Sequence, residues 1–262
     1  MKGLRLSVLG CLFFAKAVAL YNGNPSLPMM PESGFFIGPD VFVGAKIGYV
    51  GDYTYETPLK VRAHGPSAKG THRYTSLANL GLLTLNLGDR AELFGSVGTQ
   101  DSALKDARVE GLPLSYSSNA SLAWGVGGRA IIAYWGELQL AASASYLKSL
   151  PALSSFKRGD RSYSARSIDA NMRSWQIGLG TSYRFRLCVP YAGVSYTQFK
   201  ITLSHLRHLS LPIPLQTLSF KNRNPLGFFV GIGLGLKKGF DLNVETRLFS
   251  EYGASASADV KF

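Results

Sequence analysis

Cysteine is almost missing from this chain: there are two in 262 residues, Cys11 and Cys188. Cys11 falls in a segment that reads as an export signal, so the mature chain would keep Cys188 alone, as a free or intermolecular thiol, and could form no internal disulfide. Long hydrophobic runs are missing too. Beyond the signal, no stretch reaches the eighteen or so apolar residues that a spanning helix needs. Histidine is sparse, at four residues. His205 and His208 lie three apart without carboxylates or thiols to complete a metal site, and His64 and His72 have no nucleophile at a telling spacing. No metal, cofactor or catalysis is expected. The glycines Gly231, Gly233 and Gly235 alternate inside a strand pattern and do not open a helix, which excludes a phosphate loop. They leave space on one strand face instead. Acids are few, 16 against 28 Lys and Arg. The aromatics do not interleave with this basic excess, so no nucleic-acid partner is expected.

What is present begins with residues 1–19. Lys2 and Arg5, an apolar run from Leu6 to Phe14 and small residues at Ala17 and Ala19 have the layout of a signal peptide cut after Ala19. Val8-Leu9-Gly10-Cys11 loosely fits an acylation site, but the apolar stretch before Cys11 is very short for one. Removing Lys2, Arg5 and Lys16 lowers the basic count from 28 to 25 against 16 acids, and the formal charge from +12 to +9. Residues 20–262 then form one domain.

The end of the chain alternates apolar and polar residues. Leu226, Phe228, Val230, Ile232, Leu234 and Leu236 stand against Gly227, Phe229, Gly231, Gly233 and Gly235. Phe240 to Leu248 and Ala254 to Phe262 repeat the alternation. A period of two puts each set on one strand face, one greasy and one polar. Without a spanning helix, such a chain crosses a membrane only as a closed barrel, because lipid offers backbone groups no partners. The predicted class is an all-β transmembrane antiparallel barrel.

Further walls are predicted from Val41 to Glu56, Ser76 to Leu87, Ala91 to Thr99, Leu122 to Tyr134, Leu138 to Tyr146, Trp175 to Leu187 and Tyr191 to Leu203. In the last, Val194 and Tyr196 are out of phase with Phe199, Ile201 and Leu203, which predicts a bulge near Thr197-Gln198. Leu20 to Gly38 reads as an irregular lead-in. The stretches Pro58 to Thr75, Gln100 to Asn119, Ser149 to Arg173 and Ser204 to Pro214 are expected to be long outward loops, with short turns on the periplasmic side. Ten strands result if Leu215 to Lys221 joins the next wall or a loop; twelve remain possible.

The segment WQIGLGTSYRFRLCVPYAGVSYTQF, Trp175 to Phe199, resembles the chlamydial major outer membrane protein family of porins, and other pieces follow in the same order. These include NGNPSLP at Asn22, LNLGDRAELFGSVGT, AWGVGGRAIIAYWGELQLAASASYLKSLP and the terminal NVETRLFSEYGASASADVKF. The resemblance implies a diffusion pore of the cell outer membrane, oligomeric, with Phe262 read as a signal by the barrel-insertion machinery. The chain departs from that family in being shorter and poor in cysteine.

With the greasy faces outward, the inward charges are Lys46, Arg129, Arg184, Arg186, Arg247 and Lys261 against Asp52, Glu56, Glu92, Asp241, Glu245 and Asp259. Lys46, Arg129, Arg184, Arg186, Glu245 and Arg247 are the lumen candidates, with Arg184 and Arg186 paired on one strand face. They would meet small hydrophilic solutes, with a slight lean to anions, while outer-membrane lipid covers the outside. The alternative is an adhesin or structural barrel with a plugged lumen whose basic loops bind polyanions or lipid phosphates.

Overall fold

The computed structural model describes residues 23–30, 42–62, 72–109, 112–163, 165, 168–206, 217–236 and 239–262. Residues 1–19, expected to be a signal peptide, most of the expected lead-in, His64 and His208 lie outside them. Among the described residues fourteen strands run in chain order as β1 (Val43–Arg62), β2 (His72–Leu87), β3 (Ala91–Val109), β4 (Leu112–Asn119), β5 (Ser121–Trp135), β6 (Leu138–Ser149) and β7 (Ala152–Arg158). They continue as β8 (Arg161–Tyr163), β9 (Asp169–Tyr183), β10 (Cys188–Ser204), β11 (Thr217–Asn222), β12 (Leu226–Leu236), β13 (Phe240–Leu248) and β14 (Tyr252–Lys261). All their pairings are antiparallel.

Several elements are halves of one wall. β4 and β5 both pair with β3, β7 continues β6 past Pro151, and β11 continues β12 across Arg223 to Pro225. At the end carrying the short turns, ten walls close the ring: β1, β2, β3, β5, β6, β9, β10, β12, β13 and β14, with β14 returning to β1 over Lys46↔Lys261 to Glu56↔Tyr252. At the opposite end the ring is narrower. The β13–β14 hairpin stops short, and β11 passes above it to pair directly with β1 from Leu59↔Asn222 to Arg62↔Ser219. Eight walls remain there: β1, β2, β3, β4, β7, β9, β10 and β11, with β7 meeting β9 through Ala152↔Asp169.

Strand length shows where the membrane lies. A tilted crossing takes about 9–11 residues, whereas β1 has 20 residues and β3 has 19. The surplus rises beyond the apolar belt as an eight-walled cap. Within the belt Ile47, Leu83, Val97, Val126, Ile177 and Val230 are exposed outward. The stretches expected to be loops at 58–62, 100–109, 112–119 and 152–158 are strands of this cap.

In the cap the chemistry of the two faces reverses. On β9 the even residues face inward throughout, but Ser182 and Gln176 at membrane level give way to Met172 and Ala170 above it. The outward set changes from Ile177 and Trp175 to Arg173, Asn171 and Asp169. The same reversal removes the predicted bulge in β10. β10 pairs with β9 without a slip from Tyr191↔Ser182 to Ser204↔Asp169, and its odd residues stay inward. The register slip lies in the neighbouring wall, between Tyr196↔Leu226 and Lys200↔Lys221.

The cap interior is a packed apolar cluster that includes Leu59, Tyr74, Leu104, Phe156, Met172, Phe199, Ile201 and Phe220. The rings of Tyr74 and Phe199 are 4.7 Å apart, and the Tyr74 hydroxyl donates to Met172 Sδ at 2.7 Å. Burial also raises the Tyr116 phenol above its ordinary range. Each Leu or Phe buried here contributes roughly 1.5–3 kcal/mol, so the cap is held like the core of a soluble domain.

Candidate functional site: the occupied lumen

Below the cap one side of the lumen carries an apolar strip, Val50, Ala78, Leu80, Leu82, Ala123 and Leu147, and the rest is polar and spanned by charge pairs. Lys46 on β1 lies 2.6 Å from Glu92 on β3 and 3.7 Å from Asp241 on β13. Arg129 on β5 lies 3.3 Å from Glu92, with its guanidinium carbon 5.2 Å from the Phe94 ring centre. Asp241 stands directly opposite Asp259, so this cluster gathers like-charged carboxylates around Lys46 and Arg129. Nearer the cap, Arg247 on β13 lies 2.6 Å from Asp52, 3.2 Å from Glu245 and 3.1 Å from Glu251. Arg247 is 1% exposed. A cation this buried persists because several acids surround it. At the turn end Lys261 reaches Asp89 at 3.3 Å.

Residues 23–30 sit inside the barrel among these charges. They form an irregular segment with one 3-10 turn, Leu27–Met29. Lys46 Nζ donates to the carbonyls of Leu27, at 2.6 Å, and Met30. Asn86 Nδ2 donates to the Pro28 carbonyl at 2.5 Å, and the Gly23 amide donates to Glu245 Oε2 at 3.1 Å. The Ser26 and Ser182 hydroxyls are 2.6 Å apart, and Gln139 Nε2 reaches Met29 Sδ at 3.1 Å. The inner-face glycines form the seat. A Cβ on Gly233 would collide with the Asn24 side chain, and one on Gly235 would press on Met30.

Small cavities lie between these groups among the described residues. One of about 40 Å³ is bounded by Asp52, Leu80, Phe94, Arg129 and Leu147, and one of about 20 Å³ by Tyr74, Gln100, Met172 and Glu251. Spaces of this size hold water and no larger solute. In this conformation the described lumen is closed, by residues 23–30 toward the turn end and by the apolar cluster in the cap.

Lys46, Arg129, Glu245 and Arg247 therefore all face the interior. Arg184 and Arg186 do not share a wall face. β9 ends at Tyr183, and residues 184–187 form the turn into β10, held by Phe185 and Cys188 exchanging backbone hydrogen bonds and by the Arg184 amide donating to the Glu137 carbonyl. Arg186 is exposed and has a positive φ of 47°. Glu56 also departs from the expected face. A register shift between Thr54 and Thr57 sends Thr57 and Leu59 inward and leaves Glu56 3.8 Å from Arg73 on the outer surface. Sequence reasoning missed Glu251, which comes inward from the β13–β14 turn where strand period does not apply. It missed the seated segment as well, although inner-face glycines were its signal.

His205 pairs with Asp169 at 2.9 Å on the surface, and no group of three or more potential metal ligands occurs among the described residues. Cys188 is a free thiol at the start of β10. The Phe262 amide donates to the Ala45 carbonyl, which ties the last residue to β1 at 2.9 Å.

No protein-family profile matches the chain. Over its full length it is 22% identical, across 394 aligned residues that cover all of both chains, to a major outer membrane porin of Chlamydia pneumoniae. Another from that organism is 21% identical with the same coverage. These full-length matches support the resemblance read from the sequence. Among solved structures, the outer membrane protease OmpT of Escherichia coli aligns over 84% of this chain and 96% of its own, at 11% identity and a TM-score of 0.49. An outer membrane channel of Pseudomonas putida F1 covers 86% of this chain and 100% of its own, at 13% identity and a TM-score of 0.41.

Proposed function

We infer that this multi-pass β-barrel of the outer membrane works as a porin-type channel for small hydrophilic solutes, seen here in its closed state. The observation that carries this reading is the transverse charge network of the lumen, Lys46–Glu92–Arg129 and Arg247–Asp52, combined with the full-length likeness to porins. A barrel that only fills its interior gains little from buried charge, since each ion costs several kcal/mol to desolvate. The same groups serve a wetted passage once residues 23–30 leave it and the cap cluster rearranges. The reading assigns no catalysis to the chain, and it keeps the homo-oligomer and the reading of Phe262 by the insertion machinery as expectations drawn from the resemblance.

The lean toward anions draws its support from the basic outer surface. Inside, Lys46, Arg129, Arg247 and Lys261 face Asp52, Glu92, Asp241, Glu245, Glu251 and Asp259, so selectivity of the inner passage would follow the carboxylates. Reversal potentials in a salt gradient distinguish the two.

One observation favours the second reading, a barrel that stays shut and serves as a surface structure: the packed apolar cluster of the cap. Planar-bilayer recording separates them. The channel reading expects stepwise openings that become frequent when residues 23–30 are removed and the cap is loosened by Phe156→Ala. A silent bilayer, with that deletion variant correctly folded, overturns it in favour of the shut barrel.

A further inference from the structure

On the outside of the barrel, five neighbouring strands bring five basic residues into one row. Lys148 on β6 stands opposite Arg173 on β9, Arg173 opposite Lys200 on β10, Lys200 opposite Lys221 on β11, and Lys221 opposite Lys60 on β1. Directly paired residues share a face, and the inward neighbours Leu147, Met172, Ile201, Phe220 and Leu59 are buried, so the basic set points outward. Opposed side chains on adjacent strands have Cβ atoms about 5 Å apart, and like charges so placed repel. Four such pairs in succession concentrate positive charge along one line of the outer surface.

The surroundings identify the anion's source. One step toward the membrane on the same face stand Tyr146, Trp175, Gln198 and Arg223, and the Trp175 and Tyr196 rings are 5.5 Å apart at the upper edge of the apolar belt. One step away from the membrane stand Asn171, Thr202 and Ser219, which offer amide and hydroxyl donors. No carboxylate occupies the row or either adjoining step on these five strands. A cleft of about 270 Å³ opens between Tyr146, Trp175 and Gln198 on the membrane side and Arg173, Lys200 and Lys221 above. Aromatic rings mark the level where hydrocarbon meets headgroups. The row lies one residue pair higher, where lipid phosphates lie.

We propose that Lys148, Arg173, Lys200, Lys221 and Lys60 form a binding site for the phosphates of a glycolipid of the outer leaflet, with Tyr146 and Trp175 against its acyl chains. Arg173 supplies the fork that takes two phosphate oxygens together, and the lysines act as point charges on either side. The proposal does not depend on whether the lumen conducts.

The test uses the full chain folded in zwitterionic micelles and titrated with a bis-phosphorylated glycolipid, the same glycolipid dephosphorylated, and inorganic pyrophosphate. Near a membrane each Lys or Arg adds about 1 kcal/mol of attraction, so R173Q/K200Q/K221Q is expected to bind the phosphorylated glycolipid roughly a hundredfold more weakly. Raising salt should weaken the unsubstituted protein and leave the variant almost unchanged. Without glycolipid, heat-modifiable gel migration verifies that the variant is folded. If the triple variant does not fold, K200Q is titrated alone, with about fivefold weakening expected. Equal binding by variant and parent, equal binding of the dephosphorylated glycolipid, or full competition by pyrophosphate at matched concentration would each overturn the proposal.

Discussion

Arg247 and Asp52 are 195 residues apart in the chain and lie on strands that do not pair, yet the arginine Nη2 rests 2.6 Å from the carboxylate Oδ1. β14 stands between β13 and β1. The pair therefore acts as a strut across the concave inside of three walls, and it ties the seam where the end of the chain meets its beginning.

Cutting that strut should be costly. Arg247→Ala leaves Asp52, Glu245 and Glu251 buried without their shared cation, and removal of one partner from a buried pair typically loses about 3–5 kcal/mol. The expected outcome is a lower urea midpoint for the barrel in vesicles. Adding Asp52→Asn should recover part of the loss, and a double-mutant cycle with no coupling would show that the two residues act separately.

The cap is expected to behave as a separately packed core. Phe156, 1% exposed, touches the cluster that closes the outer end. Phe156→Ala should destabilise by about 3–5 kcal/mol through lost burial and the cavity left behind. Under the channel reading it should also lengthen open times in single-channel records. Unchanged records beside the expected loss of stability would assign the cap a structural role alone.

Residues 23–30 should leave the lumen when their seat is filled. Gly233→Leu puts a branched side chain where Asn24 now lies. In the unsubstituted protein, protease added from the turn end should spare Asn24 to Met30, and mass spectrometry should find cuts there in the variant. Lys46→Met, which removes two hydrogen bonds to the segment, should give a weaker form of the same result.

The unbroken register of β10 can be read by thiol labelling. In a Cys188→Ser background, Gln198→Cys should react rapidly with a water-soluble maleimide, and Phe199→Cys should stay protected inside the cap. A bulge at Thr197-Gln198 would produce the reverse order beyond it.

The barrel was legible wherever lipid lies on one side and charge on the other, because that contrast produces a clean period of two. It failed where both assumptions changed. Continuity of chemistry puts Phe199, Ile201 and Leu203 on the greasy outside, while the backbone keeps its continuity of geometry and turns them inward. Alternation alone cannot tell a strand in lipid from one around a dry interior, since both carry one apolar face. Arg184 and Arg186 failed for another reason: a turn can continue an alternating sequence for several residues, and the positive φ that bends the chain falls on an arginine and not on a glycine. Lys46, Arg129, Glu245 and Arg247 were readable as inward, but their partners were not, because the contacts cross the lumen between walls distant in the chain. The asparagine, prolines and serine of residues 23–30 signal irregular chain, and only the glycines of β12 hinted that something had to fit against them.

The direct pairing of β11 with β1 has one more consequence. Barrel diameter grows roughly linearly with strand number, so dropping from ten walls to eight narrows the cylinder by about a fifth. The β13–β14 hairpin is thus a wedge driven into one side of the tube from the periplasmic end, and the bore it opens is a funnel. Its broad mouth holds residues 23–30, and its spout is filled by the packed side chains of the cap, which must rearrange before a solute can leave it.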